Sequence, residues 1–387
     1  MIEVPWRVPL FDLSVDEEEI KAVEAVLRSK WISMGSITQE FENEFAKRHG
    51  VKHAIAVTNC TAALHLALKA LGIGEGDEVI CPSLTFVATA NSILYVGGKP
   101  VFAEIISRND LTVSPEDIEA KITERTKAIV VVHYGGYPCK MDLILEIAGK
   151  YNLKIVEDCA HAPLAEYKGK KVGSWGDIGC FSFFSNKNMT TAEGGIITTN
   201  DDEIAEKVLL MRSHGMTALS FDKFRGHASG YDVVELGYNY RIDDIRSSIG
   251  IVQLKKLDAF NKLRKELTKL YIDNLSDING ILVPFKDLPE NGTLVSSYHI
   301  FPVLISRDDI KRDFIRQELG KKGIQTSVHY QPVHLFSIYR SRFGYEKGDL
   351  SLTEWVSERE ITLPLYPSMK EEDVFYVVDC LKDIFRK

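Results

Sequence analysis

The sequence predicts an α/β fold: a mostly parallel central sheet with helices on both faces, followed by a smaller C-terminal α+β domain. Short apolar segments alternate with amphipathic helical segments through the first 245 residues. Polar residues stand where several of these apolar segments end. A long charged helical pattern then leads to a stretch of mixed short strands and helices. Repeated strand–loop–helix units form parallel sheets, in which ligands bind beyond the carboxyl ends of the strands.

Two amphipathic helices are predicted at the start of the chain, over 14–30 and 37–49. The first begins with Ser14 as its capping residue, continues with acidic residues and ends with basic ones, which suits the helix dipole. The alternating part that follows is predicted to contain strands at 53–58, 78–81, 100–105, 128–134 and 153–162, the last terminating in carboxylates and an imidazole, and helices at 59–71, 82–91, 114–122 and 143–151.

The second part of the chain begins with a helix predicted over 243–275. Strands at 281–284 and 299–305 and helices at 307–319 and 371–386 are expected after it. We therefore divide the chain into a large domain, residues 1–245, and a linker helix with a smaller domain, residues 246–387. Residues 220–230 lack periodicity and are expected to form a mobile loop near the functional site.

Composition excludes several classes of protein. The net charge of −8 gives no reason to expect nucleic acid or an anionic membrane as a partner. No apolar run is long enough to span a bilayer, and the N-terminus does not resemble a signal peptide, so we expect a cytoplasmic protein. The six cysteines contain no C-x-x-C pair, which favours a reducing compartment without disulfides or zinc. His329 and His334 lack a third ligand at suitable spacing, so no metal is expected.

Lys187 is the most informative single residue. It follows a run of apolar and small residues and stands between Asn186 and Asn188. That context predicts a lysine inside the protein at a strand end, where desolvation favours the neutral, nucleophilic amine that a Schiff base requires. An ordinary lysine on a surface loop is the alternative.

Three other strand ends carry residues that suit one ligand. The helix start at Thr58-Asn59-Cys60-Thr61 offers free N–H groups to a phosphate, although simple helix capping fits it equally well. Asp158 ends a buried strand and needs a partner, which a nearby arginine or helix N-terminus would also supply. Phe86 suits stacking on a flat ring, or plain core packing. Together with Lys187, these residues match what pyridoxal phosphate requires: an imine-forming amine, an acid for the ring nitrogen and an anion cradle.

Motifs along nearly the whole chain carry a family resemblance. In order, they are Trp31-Ile32-Ser33, Thr61-Ala62-Ala63-Leu64, Ser83-Leu84-Thr85-Phe86, Glu157-Asp158-Cys159-Ala160-His161-Ala162, Gly176-Asp177-Ile178-Gly179-Cys180-Phe181-Ser182-Phe183, Lys187-Asn188, Glu193-Gly194-Gly195, Gly237-Tyr238-Asn239-Tyr240-Arg241 and Val328-His329-Tyr330. The sequence resembles the sugar-nucleotide aminotransferases, the DegT-like branch of the fold type I pyridoxal-phosphate enzymes.

The resemblance implies a role for each matching residue. Lys187 forms the Schiff base and moves the proton, and Asp158 binds the pyridine nitrogen. The remaining implied cofactor contacts are Phe86 stacked on the ring, His161 beside it, Thr61, Ala62 and Ser182 on the phosphate, and Asn239 reaching the phosphate from the neighbouring subunit. The implied substrate contacts are Asn188, Arg241, His329 and Tyr330, each with a loop hydrogen bond as the alternative.

The implied activity is the transfer of an amino group, from L-glutamate to a keto group of a nucleotide-linked deoxysugar, by a homodimer with shared active sites. Relatives that remove a hydroxyl instead carry histidine in place of the lysine, so Lys187 favours transamination. A ketocyclitol aminotransferase of the same family and a non-catalytic regulatory protein that kept the fold are the alternatives.

Overall fold

A computed structural model of the chain describes residues 6–217, 230–288 and 292–386. The segment predicted to be a mobile loop, 220–230, lies outside the described residues except for Gly230. Among the residues that are described, no helix has both the length and the apolar character needed to cross a bilayer.

Thirteen short strands are present in the described parts of the chain. They are β1 (His53–Val57), β2 (Glu78–Pro82), β3 (Lys99–Ala103), β4 (Thr126–Val132), β5 (Lys154–Asp158), β6 (Glu166–Tyr167), β7 (Lys170–Lys171), β8 (Ile178–Ser182), β9 (Gly195–Thr199), β10 (Ile281–Leu282), β11 (Leu294–Val295), β12 (Phe301–Ile305) and β13 (Glu360–Leu363). Seven form the central sheet in the order β1-β9-β8-β5-β4-β2-β3. Within it, β9 pairs antiparallel with both neighbours and the other pairings are parallel. The predicted mostly parallel sheet is confirmed.

Helices surround this sheet and continue into the C-terminal part. They are α1 (Glu17–Ser29), α2 (Ser36–His49), α3 (Cys60–Ala70), α4 (Ala88–Tyr95), α5 (Pro115–Ala120), α6 (Met141–Tyr151), α7 (Asp202–Arg212), α8 (Asp244–Leu275), α9 (Arg312–Lys321), α10 (Ser337–Phe343), α11 (Ser351–Arg359) and α12 (Glu371–Phe385). Strand side chains alternate between the two faces of the sheet. Val130 therefore packs in the cluster that contains α3 and α7, while Ile129 and Val131 pack in the cluster that contains α5 and α6. Both faces are covered, as the fold class predicts.

The C-terminal part is built on a second, antiparallel sheet in the order β10-β12-β13. Its core joins strand residues of β12 and β13 to α9, α12 and the end of α8. Val8, near the start of the chain, packs in the same core and forms a bridge with Ile324. The 32-residue helix α8 begins at Asp244, next to the predicted boundary at 245/246, which stays a prediction.

Several local expectations differ from the structure. Ser14 does not cap α1: Asp16 does, through a capping box with Glu19, because the acidic residue three positions later can return the hydrogen bond. The helix expected over 82–91 begins only at Ala88, so Phe86 lies in the preceding loop. The strand β13 was not predicted, since four residues between two helices give little periodicity to detect.

Candidate active site

A cavity of about 760 Å³ opens where β2, β4, β5 and β8 end. Nine of the twelve predicted site residues line it: Thr61, Ala62, Phe86, Asp158, His161, Ser182, Lys187, His329 and Tyr330. Each of these parallel strands delivers its C-terminal residues to the same edge of the sheet, which is where ligands bind in such folds. The sequence-based grouping of Lys187 with Asp158 therefore corresponds to one cavity.

Lys187 follows β8 in a tight loop. Its backbone N–H donates to the carbonyl of Phe184 at 2.9 Å, and its side chain lines the cavity, partly exposed. Desolvation lowers the pKa of Lys187 to about 8, and the charge of Asp158 opposes that shift. About a tenth of this amine is thus neutral at pH 7, far more than for a lysine with its ordinary pKa, and the neutral form is the one that nucleophilic chemistry requires.

Asp158 is the last residue of β5 and is 5% exposed. Oδ2 accepts a hydrogen bond from the hydroxyl of Thr89 at 2.8 Å, and Oδ1 accepts one from the N–H of Ala160 at 3.1 Å. Burial raises the pKa of Asp158, while Thr89, Ala160 and Lys187 lower it. No ion pair within 4 Å is formed by this carboxyl among the described residues. A buried carboxyl that has hydrogen bonds but no ion-pair partner favours a cationic N–H group beside it.

Thr89 was missed by the sequence reasoning. It lies on the first turn of α4, and its hydroxyl also contacts that of Thr85 at 2.9 Å. Thr85 lies in the loop that precedes α4, and Asp158 is 69 positions away in sequence, so no local pattern predicted this contact.

The N-terminus of α3 faces the same cavity. Asn59 caps the helix, and its side chain accepts a hydrogen bond from the N–H of Ala62 at 2.8 Å. The N–H of Ala62 is therefore used in helix capping, which was the alternative to phosphate binding. The N–H groups of Cys60 and Thr61 precede the first intrahelical bonds and are available to an anion. Gly195 lies against this turn: a Cβ there would stand 2.6 Å from the carbonyl carbon of Asn59. The hydroxyl-bearing Ser182 completes this end of the cavity.

An imidazole and two aromatic rings form a further wall. Nδ1 of His161 accepts the N–H of Gly135 at 3.3 Å, so Nε2 carries the proton and donates to the hydroxyl of Tyr330 at 2.9 Å. Burial lowers the pKa of His161 well below its usual range. The ring of Phe86, 58% exposed, lies 6.1 Å from that of Tyr330. An aromatic side chain this exposed beside a cavity suits stacking on a ligand.

Three predicted site residues do not line the cavity. Asn188 is buried: its Nδ2 donates to Asn261 and to the carbonyl of Ser297, and its Oδ1 meets Nδ1 of His299 at 2.9 Å. Its amide therefore has the partners of a residue that holds the loop. Arg241 forms a bridge with Val57, and burial together with Arg212 lowers the pKa of its guanidinium.

Asn239, the third, is exposed and bridges Ser213. The sequence reasoning expected it to act on a neighbouring subunit, a role that requires exposure. Further residues that line the cavity received no role from the sequence, among them Asn59, His65, Tyr95, Asn186, Glu193 and Tyr240.

One buried cluster outside the cavity has the composition of a metal site. His133, Glu157 and Cys159 bring their ligand atoms within 4.8 Å of one another. Nδ1 of His133 accepts a backbone N–H, so Nε2 donates to Glu157 at 3.0 Å. Glu157 also accepts the N–H groups of residues 173, 175 and 176. These bonds satisfy the buried side chains of His133 and Glu157: both ring nitrogens and both carboxyl oxygens already have protein partners.

The sequence and the structure of the chain both match known aminotransferases. Residues 13–382 match the model of the DegT/DnrJ/EryC1/StrS aminotransferase family. The spore coat polysaccharide biosynthesis protein SpsC of Bacillus subtilis is 41% identical over 389 residues, which cover 99% of this chain and 97% of SpsC.

Solved structures agree. Helicobacter pylori PseC, an aminotransferase involved in the biosynthesis of pseudoaminic acid, matches with a TM-score of 0.90 at 33% identity, over 98% of this chain and 99% of PseC. The putative sugar aminotransferase Spr1654 of Streptococcus pneumoniae has been solved in PLP and PMP forms, and each is 30% identical to this chain. The PLP form matches with a TM-score of 0.89 over 98% of this chain and 98% of Spr1654. The PMP form matches with a TM-score of 0.90 over 98% of this chain and 99% of Spr1654. The predicted family resemblance is confirmed.

Proposed function

The chain belongs to the DegT/DnrJ/EryC1/StrS aminotransferase family, and on this premise we propose that it moves an amino group from L-glutamate to a keto group of a nucleotide-linked deoxysugar. The observation that carries the proposal is the pair formed by Lys187 and Asp158 in one cavity with the N-terminus of α3. Polysaccharide and pseudoaminic acid biosynthesis, the processes named for SpsC and PseC, support a sugar as the acceptor.

The residues of the cavity fit pyridoxal 5'-phosphate. Asp158 is a buried carboxyl without an ion-pair partner among the described residues, which suits a protonated ring nitrogen. The first N–H groups of α3 and Ser182 suit the phosphate, Phe86 suits the face of the ring, and Lys187 is the amine for the Schiff base. When bound, this cofactor supplies an electron sink for the carbon that loses or gains a proton.

The protein's own contribution is orientation and proton movement. Nζ of Lys187, with its pKa lowered to about 8, accepts a proton and returns it near neutral pH. Nε2–H of His161 holds the oxygen of Tyr330 at 2.9 Å, which leaves the hydroxyl proton of Tyr330 to a ligand. Because both side chains are fixed by protein contacts, they orient a substrate without reorganising. His329 adds an imidazole to the same wall.

We further propose that Arg241 and Asn188 hold the loops beside the cavity and do not contact the substrate directly, which is the alternative stated for them above. Asn239 is proposed to serve the cavity of a partner subunit. The exposure of Asn239 supports this assignment. The proposed enzyme is a homodimer that acts in the cytoplasm, with no nucleic acid or membrane partner.

The colour of the protein tests whether it binds the cofactor and takes its amino group from L-glutamate. Purified protein is expected to be yellow and to lose that colour on addition of L-glutamate. The variant Lys187→Met should not respond to glutamate while keeping its fold. Protein that stays colourless with added cofactor would instead indicate the non-catalytic regulatory alternative.

The acceptor is tested with the amine-loaded form of the protein. Nucleotide-linked keto sugars, the same sugars without the nucleotide, and ketocyclitols are offered separately, and return of the yellow colour is recorded. Turnover of a ketocyclitol alone would replace the sugar proposal with the ketocyclitol alternative.

Shared sites are tested by mixing two inactive chains, Lys187→Met and Asn239→Ala. A mixed dimer with shared sites has one cavity with both wild-type residues, so activity should return on co-expression. Cavities that belong wholly to one chain would give no return above that of Asn239→Ala alone.

A further inference from the structure

The short strand β13 carries two buried polar residues next to the active-site cavity. Ile361 and Leu363 point into the apolar core of the C-terminal part. Glu360 and Thr362 alternate with them and point to the other face, where they are 0% and 1% exposed. A carboxyl and a hydroxyl this deeply buried need partners, and they find them in His329.

Three hydrogen bonds link these residues. The backbone N–H of His329 donates to Oε2 of Glu360 at 2.7 Å, and the hydroxyl of Thr362 lies 2.5 Å from Oε1 of Glu360. The same hydroxyl lies 2.7 Å from Nδ1 of His329. His329 lines the cavity, and its Nε2 has no partner in the described parts of the chain. Nε2 is therefore the nitrogen available to a ligand.

The single hydroxyl proton of Thr362 allows two arrangements. With Glu360 ionised, Thr362 donates to Glu360 and accepts from Nδ1–H of His329, which leaves Nε2 a bare acceptor. With Glu360 protonated, its O–H donates to Thr362, Thr362 donates to Nδ1, and Nε2 carries the proton as a donor. Conversion of the second arrangement into the first releases one proton at Nε2 and leaves one negative charge on Glu360.

We propose that Glu360 and Thr362 are positioning residues that decide, through this shared hydroxyl, which nitrogen of His329 carries the proton and whether His329 donates or accepts in the cavity. The cavity as the reaction site comes from the proposed function; the coupling itself does not depend on it. No motif that suggested the family includes Glu360 or Thr362.

The surroundings of Glu360 favour a change near neutral pH. Arg312 and Arg316 lower its pKa but bond elsewhere, to the carbonyls of residues 357 and 326. No cation of the described residues lies within ion-pair distance of Glu360, and burial raises its pKa to about 8. Tyr134 and Tyr330 also lie close enough to sense the charge of Glu360: burial, together with that charge, raises the pKa of their phenols, which therefore stay neutral in this pH range.

His329, which Thr362 links to Glu360, does not itself gain or lose charge in this pH range. Burial and the charge of Lys187 lower the pKa of His329 to about 3. His329 therefore stays neutral through the pH range in which Glu360 titrates, and only its tautomer changes.

The tautomer of His329 is read directly by long-range ¹H–¹⁵N NMR on the cofactor-loaded protein labelled at histidine. The signal is assigned by its loss in His329→Gln. Wild-type protein is expected to pass from Nε2–H to Nδ1–H as pH rises through about 8. Glu360→Gln, which donates permanently to Thr362, should hold Nε2–H at every pH.

Thr362→Val and Thr362→Ser form the matched pair. The valine variant removes the shared hydroxyl and should abolish the pH-dependent change, while the serine variant should restore it. Glu358→Gln, an exposed carboxyl paired with Lys347, should behave as wild type. The proposal is overturned if Glu360→Gln or Thr362→Val shows the wild-type tautomer change, or if wild type keeps one tautomer throughout. Because this readout needs no turnover, it is independent of the glutamate and acceptor tests.

Discussion

Replacement of Lys187 by methionine should stabilise the cofactor-free protein. Desolvation lowers the pKa of this amine from 10.5 to about 8, so the folded state disfavours the ammonium form. One pKa unit corresponds to about 1.4 kcal/mol, and the cost of the buried charge near pH 7 is therefore roughly 3 kcal/mol. Methionine has a similar length and no charge, so Lys187→Met should raise the free energy of unfolding by about that amount.

The sign of the pH dependence makes the prediction specific. Above pH 8 the folded protein has a neutral amine, while the unfolded chain holds the proton up to about 10.5. The wild-type protein therefore gains stability from this group as pH rises through that interval. The advantage of Lys187→Met should shrink to about 1 kcal/mol at pH 9.5.

The assay is urea unfolding of cofactor-free protein at pH 7.0, 8.5 and 9.5. Lys269→Met, at an exposed position of α8, serves as the control and should leave stability nearly unchanged. If Lys187→Met is no more stable than wild type at pH 7, or if its advantage is the same at all three pH values, Lys187 is not a desolvated amine and the reasoning fails.

Three further predictions concern the cofactor end of the cavity. Asp158→Asn should leave the protein folded, by circular dichroism, but slow amine transfer by on the order of 100-fold or more, since the ring nitrogen loses its counter-charge. Thr89→Val removes the 2.8 Å bond to Asp158; it should lower the unfolding free energy by about 1 kcal/mol and weaken cofactor binding in a fluorescence titration. Gly195→Ala places a Cβ 2.6 Å from the backbone of Asn59, and should cost about 1–3 kcal/mol in thermal unfolding and reduce cofactor retention.

Each of these variants has an outcome that contradicts its premise. Full activity of Asp158→Asn would show that this carboxyl does not face the ring. Unchanged cofactor affinity of Thr89→Val would mean that the position of Asp158 is fixed by its backbone alone. A fully stable Gly195→Ala protein that retains its cofactor would show that the close contact between β9 and α3 is not needed to shape the phosphate-binding end of the cavity.

The sequence by itself determined the fold class and the strand ends that form the site. Alternation of apolar strands and amphipathic helices is a local property, so it is readable without coordinates. Because parallel strands end at one edge of a sheet, placing Lys187 and Asp158 at strand ends was enough to predict that they meet. Motifs then supplied residues such as His161 and Tyr330, which are 169 positions apart and bonded.

The tertiary structure alone decided which polar side chains face the cavity and which support it. Asn188, next to the lysine in sequence, points away from it towards His299. Thr89 and the Glu360–Thr362 pair, distant in sequence from the groups they hold, act on Asp158 and His329. Side-chain direction and proton placement depend on packing between elements from separate parts of the chain, and periodicity along one segment contains no information about that packing.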